Sequence, residues 1–378
     1  MPFDTNCFIN CPFDQPYEKK LSRHQVLLLQ KLSQPMLGLH LDQALEEDTG
    51  ITGDLYTQED FDHLEKMLEG VKPDTFENTR SFIQKTIAED FSNQTKFFAK
   101  SQFLLNSIEA LKQQFPHFIE VIEHIENHCI LQNIGSGVFY VPPLLLAGGA
   151  GIGKTFFCHT MANLVQTFFR VLNMESISSN FQLTGSNEGW GTASPGIIFK
   201  ALTQGKQINP IFLLDELDKC KGDERYSASN AFLPLLERYT ALSFKDECVS
   251  LPLDASHIIW IATANELEKI SAPLKSRFDI FTVPSPNFAQ RRQLIKGIYS
   301  SILTMNSWGH SLDTSLSGEV LDLLAEMMSP GAARDLRRTI TTACARAVKD
   351  KRHTILNRDI DSFALPDRMM WDLPLVSQ

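Results

Sequence analysis

The chain has 378 residues, and its 43% hydrophobic and 21% charged residues exclude wholesale disorder and allow a large folded core. Its formal net charge of −10 argues against the basic surface by which nucleic acid is usually bound. No apolar run approaches the roughly 20 residues that span a bilayer, and the first residues lack the features of a signal peptide. We therefore expect a cytosolic protein of two or three domains. The seven cysteines are scattered, which argues against a disulfide framework.

Residues 1–95 are polar and helix-like, and we predict a helical N-terminal region to which the sequence assigns no role. Cys7 and Cys11 would supply half of a metal site, but no second pair lies nearby, so free or structural thiols are favoured. The helical spacing of this region is clearest at Leu64, Met67 and Leu68.

Residues 96–282 alternate helical stretches with short apolar runs, which predicts a parallel sheet covered by helices on both faces. We expect a three-layer αβα nucleotide-binding domain here and helices alone over residues 283–378. Apolar strands are predicted over residues 142–147, 210–214 and 258–262, and helices around residues 118–125 and over residues 155–172.

His124 and His128 stand four residues apart, so they share one face of a predicted helix, with Cys129 beside them. No third ligand stands at a spacing typical of a metal site, and we therefore favour a partly exposed helix face. A basic stretch near the C-terminal end is interpreted in the same way, as a solvated face rather than a nucleic-acid site. Its members are Lys349, Lys351, Arg352 and Arg358.

A glycine-rich segment follows the first predicted strand of the α/β region and precedes a predicted helix. Its spacing, Gly-x4-Gly-Lys-Thr, fits the P-loop, in which glycines let backbone N–H groups surround phosphates at a helix N-terminus. Lys154 would reach the β- and γ-phosphates, and the hydroxyl group of Thr155 would hold Mg²⁺. We therefore predict ATP and Mg²⁺ as ligands. The loop consists of Gly148, Gly149, Ala150, Gly151, Ile152, Gly153, Lys154 and Thr155.

The second predicted strand of the α/β region ends in two acidic residues, Asp215 and Glu216. Asp215 would contact Mg²⁺ through the water shell of the ion, and Glu216 would act as a general base towards an attacking water. An acidic pair is also common as a solvated strand end, but its position after a P-loop favours catalysis. Asp218 and Lys219, which follow, are interpreted as a local ion pair.

With these segments in place, the chain resembles an AAA+ ATPase, and within that class the ATPase module of Lon proteases, from about Pro142 to about Ile340. The resemblance implies a small helical lid after the nucleotide domain. It also implies that Asn265 orients the lytic water, that Arg277 is an arginine finger for a neighbouring subunit, and that Arg334 contacts the γ-phosphate in its own subunit. The alternative for both arginines is a solvated helix face. The resemblance is carried by residues 209–219, 259–265, 271–279 and 331–334.

Residues 189–196 are similar to the Lon pore loop, in which an aromatic side chain grips the substrate polypeptide. Trp190 takes the place of that aromatic residue, where the family usually carries tyrosine; the alternative is packing at a subunit interface. The resemblance therefore implies a homo-oligomeric ring, a hexamer, that unfolds or remodels a protein substrate.

The sequence after the lid differs from Lon, because nothing in it is similar to a protease domain with a serine–lysine dyad. We therefore expect no peptidase activity in this chain, and a protease or adaptor acting in trans remains compatible with the sequence. Two other functions stay open: a nucleotide-switch adaptor ATPase that recruits partners without threading, and a DNA-associated AAA+ motor, which the net acidity disfavours. We expect no membrane partner.

Overall fold

The computed structural model describes residues 51–69, 95–177, 180–186, 194–220, 231–249, 251–328 and 333–360. They fall into two compact units, one formed by Thr49–Pro286 and one that contains the described helices after Asn287. None of the described helices is long and apolar enough to cross a membrane.

The first unit contains nine described strands. Five of them form a parallel sheet in the order β4-β5-β8-β3-β9, and the others form two small antiparallel pairs, β1 with β2 and β6 with β7. The strands are β1 (Thr52–Asp54), β2 (Thr95–Phe97), β3 (Leu144–Ala147), β4 (Phe169–Asn173), β5 (Ile211–Asp215), β6 (Phe244–Lys245), β7 (Pro252–Leu253), β8 (Ile259–Ala264) and β9 (Asp279–Thr282).

Helices flank this sheet, as the alternating pattern predicts. The predicted helix around residues 118–125 is confirmed, because residues Ile119–Ile134 are helical and bury their apolar stripe in the core. The described helices of the unit are α1 (Gln58–Glu69), α2 (Ser101–Leu105), α3 (Ile108–Gln114), α4 (Ile119–Ile134), α5 (Lys154–Val165), α6 (Phe181–Thr184), α7 (Ile197–Gln204), α8 (Arg238–Ala241) and α9 (Ala272–Lys275).

The three predicted strands are confirmed as β3, β5 and β8, the neighbours at the centre of the sheet. Their side chains are buried along almost the whole length, which is why each appears in the sequence as a continuous apolar run. Trp260 of β8 packs against Phe212 of β5 with ring centroids 5.1 Å apart. The carboxyl ends of these three strands therefore meet at one edge of a rigid core, where ligands of open α/β sheets bind.

Two predictions of local structure are wrong. The helix expected over residues 155–172 ends at Val165, where Gln166 turns into the left-handed region at φ 58°, and β4 begins three residues after Gln166. Pairing with β5 decides this outcome, because a short apolar run has no helical or strand period of its own. Strand β1 also lies in the region predicted as helical, and three residues are too few to show a period.

The second unit contains helices and no strand within its described residues, in agreement with the sequence pattern. Asn287 and Gln290 form a reciprocal capping box at the start of its first helix, and the hydroxyl of Ser317 caps the second. In the predicted basic stretch, Arg352 donates to both carboxylate oxygens of the buried Asp359 at 2.8 Å. The helices are α10 (Phe288–Met305), α11 (Gly318–Met327) and α12 (Ala333–Lys349).

Candidate nucleotide site

The predicted P-loop connects β3 to α5. Gly151 and Gly153 have φ values of 72° and 100°, in the left-handed region that residues with a Cβ rarely adopt. Gly148 approaches the backbone so closely that a Cβ atom there would lie 2.5 Å from the carbonyl oxygen of Val283. Gly148, Gly151 and Gly153 are therefore required by the path of the loop, which turns directly into the N-terminus of α5.

Lys154 is buried, with 8% of its surface exposed. Its ammonium group donates to the carbonyl oxygens of Gly148 at 2.6 Å and Gly149 at 3.0 Å, and to Oδ1 of Asn265 at 3.0 Å. Burial lowers the pKa of Lys154, and the carboxylate of Asp215 at the end of β5, followed by those of Asp218 and Glu216, opposes this shift. The predicted phosphate-binding lysine and the predicted water-orienting amide are thus in direct contact.

Asp215 is the last residue of β5, and its carboxylate accepts hydrogen bonds from two hydroxyl groups. Thr155 Oγ1 donates to the carboxylate at 3.1 Å, and Thr263 Oγ1 of β8 donates to it at 2.6 Å. A threonine hydroxyl next to a carboxylate supplies the hard oxygen ligands that Mg²⁺ prefers, so the residues present fit this ion. The sequence separates Thr155 from Asp215 by 60 positions, and the parallel sheet brings them together.

Glu216 has a backbone conformation that is unusual for a residue with a side chain. Its φ and ψ values of 60° and 49° lie in the left-handed region. The backbone N–H of Glu216 donates to Thr263 Oγ1 at 3.0 Å, and its carboxylate pairs with Lys219 at 3.0 Å. Such conformations persist only where the surroundings enforce them, and here two hydrogen-bonded strand ends hold the residue.

The predicted ion pair between Asp218 and Lys219 is wrong, because Lys219 pairs with Glu216. The carboxylate of Asp218 instead accepts the backbone N–H groups of Asn265 at 3.2 Å and Glu266 at 3.3 Å. Sequence reasoning missed this contact, since neighbours in sequence are the obvious partners for opposite charges. Asp218 therefore fixes the backbone from which the Asn265 side chain extends.

His117 is a second contact that the sequence did not reveal. Its Nε2 atom lies 2.8 Å from the carbonyl oxygen of Ile152 in the P-loop, so Nε2 must carry the proton and donate. Burial lowers the pKa of His117, which keeps the ring neutral at physiological pH. This ring supports the loop from the short 3-10 turn Pro116–Phe118 that precedes α4, and no motif marks such a residue.

Arg277 follows α9, and its guanidinium group is bound within its own chain. It donates to the carbonyl oxygen of Pro273 at 2.7 Å and forms an ion pair with Glu237, also at 2.7 Å. The side chain is 26% exposed. The role of Arg277 as a finger towards a neighbouring subunit stays a prediction, and that role requires the guanidinium group to leave Glu237.

Two predicted site residues lie outside what the structure describes. Trp190 belongs to residues 187–193, and the side chain of Arg334, in the first turn of α12, is likewise outside the described part. The flanks of the Trp190 segment are described. The backbone N–H of Ser186 donates to the carbonyl oxygen of Ser194 at 3.2 Å, and the N–H of Ser194 donates to the Ser186 hydroxyl at 3.0 Å. The two ends of the segment are therefore held together.

The strand order, the P-loop and the acidic end of β5 define a P-loop nucleotide-binding protein of the α/β class. Residues 144–285 match the sequence profile of the ATPase family associated with various cellular activities (AAA). Residues 144–285 thus contain an AAA domain, and the predicted resemblance to AAA+ ATPases and the predicted fold class are confirmed. This family implies nucleotide binding, usually with Mg²⁺, and supports ATPase activity in general.

The similarity to Lon proteases is also confirmed. Lon protease 1 of Bacillus subtilis is 28% identical over 232 residues, which cover 59% of this chain and 30% of that protein. The peroxisomal Lon protease homolog 2 of Caenorhabditis elegans is 27% identical over 256 residues, which cover 68% of this chain and 32% of that protein. The chain therefore spans about a third of the length of these relatives.

A solved structure of the Thermotoga maritima RuvB Holliday junction branch migration motor is similar over 64% of this chain and 66% of that one. Its sequence identity is 15% and the TM-score is 0.42.

Proposed function

We propose that the chain binds ATP with Mg²⁺ at the P-loop and hydrolyses it. One observation carries this proposal: the predicted ligands of phosphate, Mg²⁺ and lytic water converge at the carboxyl ends of β3, β5 and β8. Phosphoryl transfer requires positioning and charge stabilisation rather than covalent chemistry, and these groups provide both. Arg334 is proposed to contact the γ-phosphate from the lid, on the basis of the family resemblance alone.

In this mechanism the N–H groups of the loop and the ammonium of Lys154 bind the phosphate oxygens. Thr155 and Asp215 would hold Mg²⁺, and the bound ion would neutralise charge on the phosphates. Glu216 accepts the proton of the attacking water, and Asn265 orients that water through its side-chain amide.

The test is the substitution Glu216→Gln, which keeps the size of the side chain and removes the base. We expect ATP binding to persist and hydrolysis to fall by at least about 100-fold, the range of general-base catalysis. Glu268→Gln, the same change at an exposed acid, is the matched control. Hydrolysis that survives Glu216→Gln at the control rate would disprove the assignment of the base.

We further propose that the protein works as a ring, a hexamer by family resemblance, and remodels a protein threaded past Trp190. Two observations support this role: the relatives are named proteases, which act on proteins, and hydrogen bonds join the two ends of the Trp190 segment. A loop can transmit force to a bound polypeptide only if its two ends are anchored to the rest of the domain.

Trp190→Ala is expected to abolish remodelling of a loosely folded reporter protein while ATP hydrolysis continues, and Trp190→Phe is expected to retain it. The aromatic control separates loss of grip from loss of structure. Remodelling that is unchanged in Trp190→Ala would favour the adaptor ATPase that recruits partners without threading.

A further inference from the structure

Two histidines and a carboxylate meet where α4 lies against the edge strand β9. His124 and His128 extend from one face of α4, and Asp279 is the first residue of β9. One ligand atom from each of the three residues can be chosen so that all three lie within 4.8 Å of one another. The sequence contains the first two residues as an i, i+4 pair, but the third stands 151 positions after His128 and comes close only through the sheet.

The spacing of the His124–Asp279 pair suits a tetrahedral metal site. His124 Nε2 lies 3.2 Å from Oδ2 of Asp279. Two ligands that are each about 2.0 to 2.2 Å from a tetrahedral Zn²⁺ lie roughly 3.3 to 3.5 Å apart. The His124 and His128 rings are adjacent, with centroids 4.7 Å apart, so the second imidazole lies beside this pair.

His124 Nε2 forms no hydrogen bond with the neighbouring carboxylate of Asp279. His124 Nε2 is buried and has no hydrogen-bond partner among the residues that the structure describes, although the carboxylate oxygen is close. A buried polar nitrogen without a hydrogen bond costs free energy. A metal ion placed between this nitrogen and Asp279 would remove that cost, because metal binding needs a lone pair on the nitrogen rather than an N–H directed at the oxygen.

The charges around the cluster also favour a cation. A neutral imidazole is the form of histidine that binds metals. Asp279 contributes a negative charge, and the ring of Phe281 lies 5.0 Å from the His124 ring and limits its rotation. Imidazole ligands select zinc-like transition metals over Mg²⁺ and Ca²⁺.

We propose that His124, His128 and Asp279 bind one divalent transition-metal ion of the Zn²⁺ type, with water as a further ligand. Such an ion would link α4 to β9. Helix α4 begins two residues after His117, which contacts the P-loop, and β9 begins two residues after Arg277. The ion would therefore stabilise the packing of two elements that border the nucleotide site.

The proposal is tested on the full chain, stripped of metal with a chelator and then titrated with Co²⁺ and Zn²⁺. We expect one equivalent of Co²⁺ to bind with the visible bands of a tetrahedral ion and without a thiolate-to-cobalt charge-transfer band, and Zn²⁺ to displace it. A thiolate band would assign the ion to cysteines such as Cys7 and Cys11 and would contradict the proposal, as would the absence of binding.

His128→Gln and Asp279→Asn should each weaken binding by more than about 100-fold, since loss of even outer-shell partners costs metal sites about 10 to 100-fold. His310→Gln, at an exposed histidine in the other unit, should bind as the wild type does. Circular dichroism checks that the variants fold. In addition, Zn²⁺ should raise the unfolding temperature of the wild type and of His310→Gln but not of the two ligand variants. Equal affinity in all four proteins would overturn the proposal.

Discussion

Asp218 illustrates how a side chain without a proposed ligand can control the chemistry of the site. Its carboxylate accepts the two N–H groups that precede and follow the Asn265 side chain along the backbone. Asp218→Asn would keep one accepting oxygen and would present an NH₂ donor to the other N–H group, and hydrogen bonds to a charged group contribute about 1.5 to 3 kcal/mol. We expect kcat to fall about tenfold or more and ATP affinity to change little. The comparison of kcat with the ATP dissociation constant measures this effect, and equal losses in both would contradict the positioning role.

The ion pair between Arg277 and Glu237 gives a second prediction at the residue scale. Pairs that are partly exposed, as this one is, contribute about 0.2 to 1 kcal/mol. If Arg277 must leave Glu237 to reach a neighbouring subunit, Glu237→Gln should raise ATP hydrolysis by about two- to fivefold at a fixed protein concentration. Glu268→Gln should leave the rate unchanged. A lower rate in Glu237→Gln would mean that the pair supports the active arrangement.

The residues of the site differ in how far sequence predicts them. The P-loop, Asp215 and Asn265 belong to short contiguous motifs in which the chemistry requires those residue types. His117 and Asp218 act through backbone groups that lie 35 and 47 positions away in the sequence. Such contacts depend on tertiary packing, so no local pattern distinguishes these residues from other buried polar ones.

At the scale of elements, burial decided which strands could be predicted. The central strands β3, β5 and β8 are buried on both faces and form clear apolar runs. The edge strands β4 and β9 are partly exposed and mix polar with apolar residues, so the sequence did not reveal them. Their place is fixed by pairing with β5 and β3.

Asp246 directly follows β6 and forms a hydrogen bond to the chain just after the segment that carries Trp190. It is 1% exposed, and its carboxylate accepts the N–H groups of Gly196 at 2.8 Å and Cys248 at 2.9 Å. Burial raises the pKa of Asp246 from 3.8 to about 6. At pH values between these two pKa values, the Asp246 carboxyl group keeps a proton in the folded protein that it has lost in the unfolded chain. The contribution of Asp246 to stability therefore decreases as the pH rises.

We therefore expect the free energy of unfolding of the wild type to fall, relative to Asp246→Asn, as the pH rises from about 4 to about 6, by at most about 3 kcal/mol. Denaturant titrations of both proteins across this range measure the difference. Glu247→Gln, at the exposed neighbour, should follow the wild type. Parallel curves for the wild type and Asp246→Asn would show that this carboxyl group does not titrate with a raised pKa.

At the scale of the whole molecule, the proposed ring means that two neighbouring subunits contribute residues to each active site. Glu216→Gln lacks the base but retains Arg277, and Arg277→Ala lacks the finger but retains Glu216. Each variant alone should be inactive. In an equal mixture about one interface in four combines an intact Glu216 with an intact Arg277, so roughly a quarter of the wild-type rate should return. A mixture no more active than its components, or an active Arg277→Ala, would contradict a shared site.

The left-handed backbone conformation at Glu216 lowers the stability of the fold. A residue with a Cβ costs about 1 to 2 kcal/mol in that conformation, whereas glycine adopts it freely. Against a total stability of about 5 to 15 kcal/mol for a typical domain, this is a noticeable fraction. Stability alone would therefore favour glycine at this position, and the proposed role of Glu216 as the general base explains why a glutamate stands there instead.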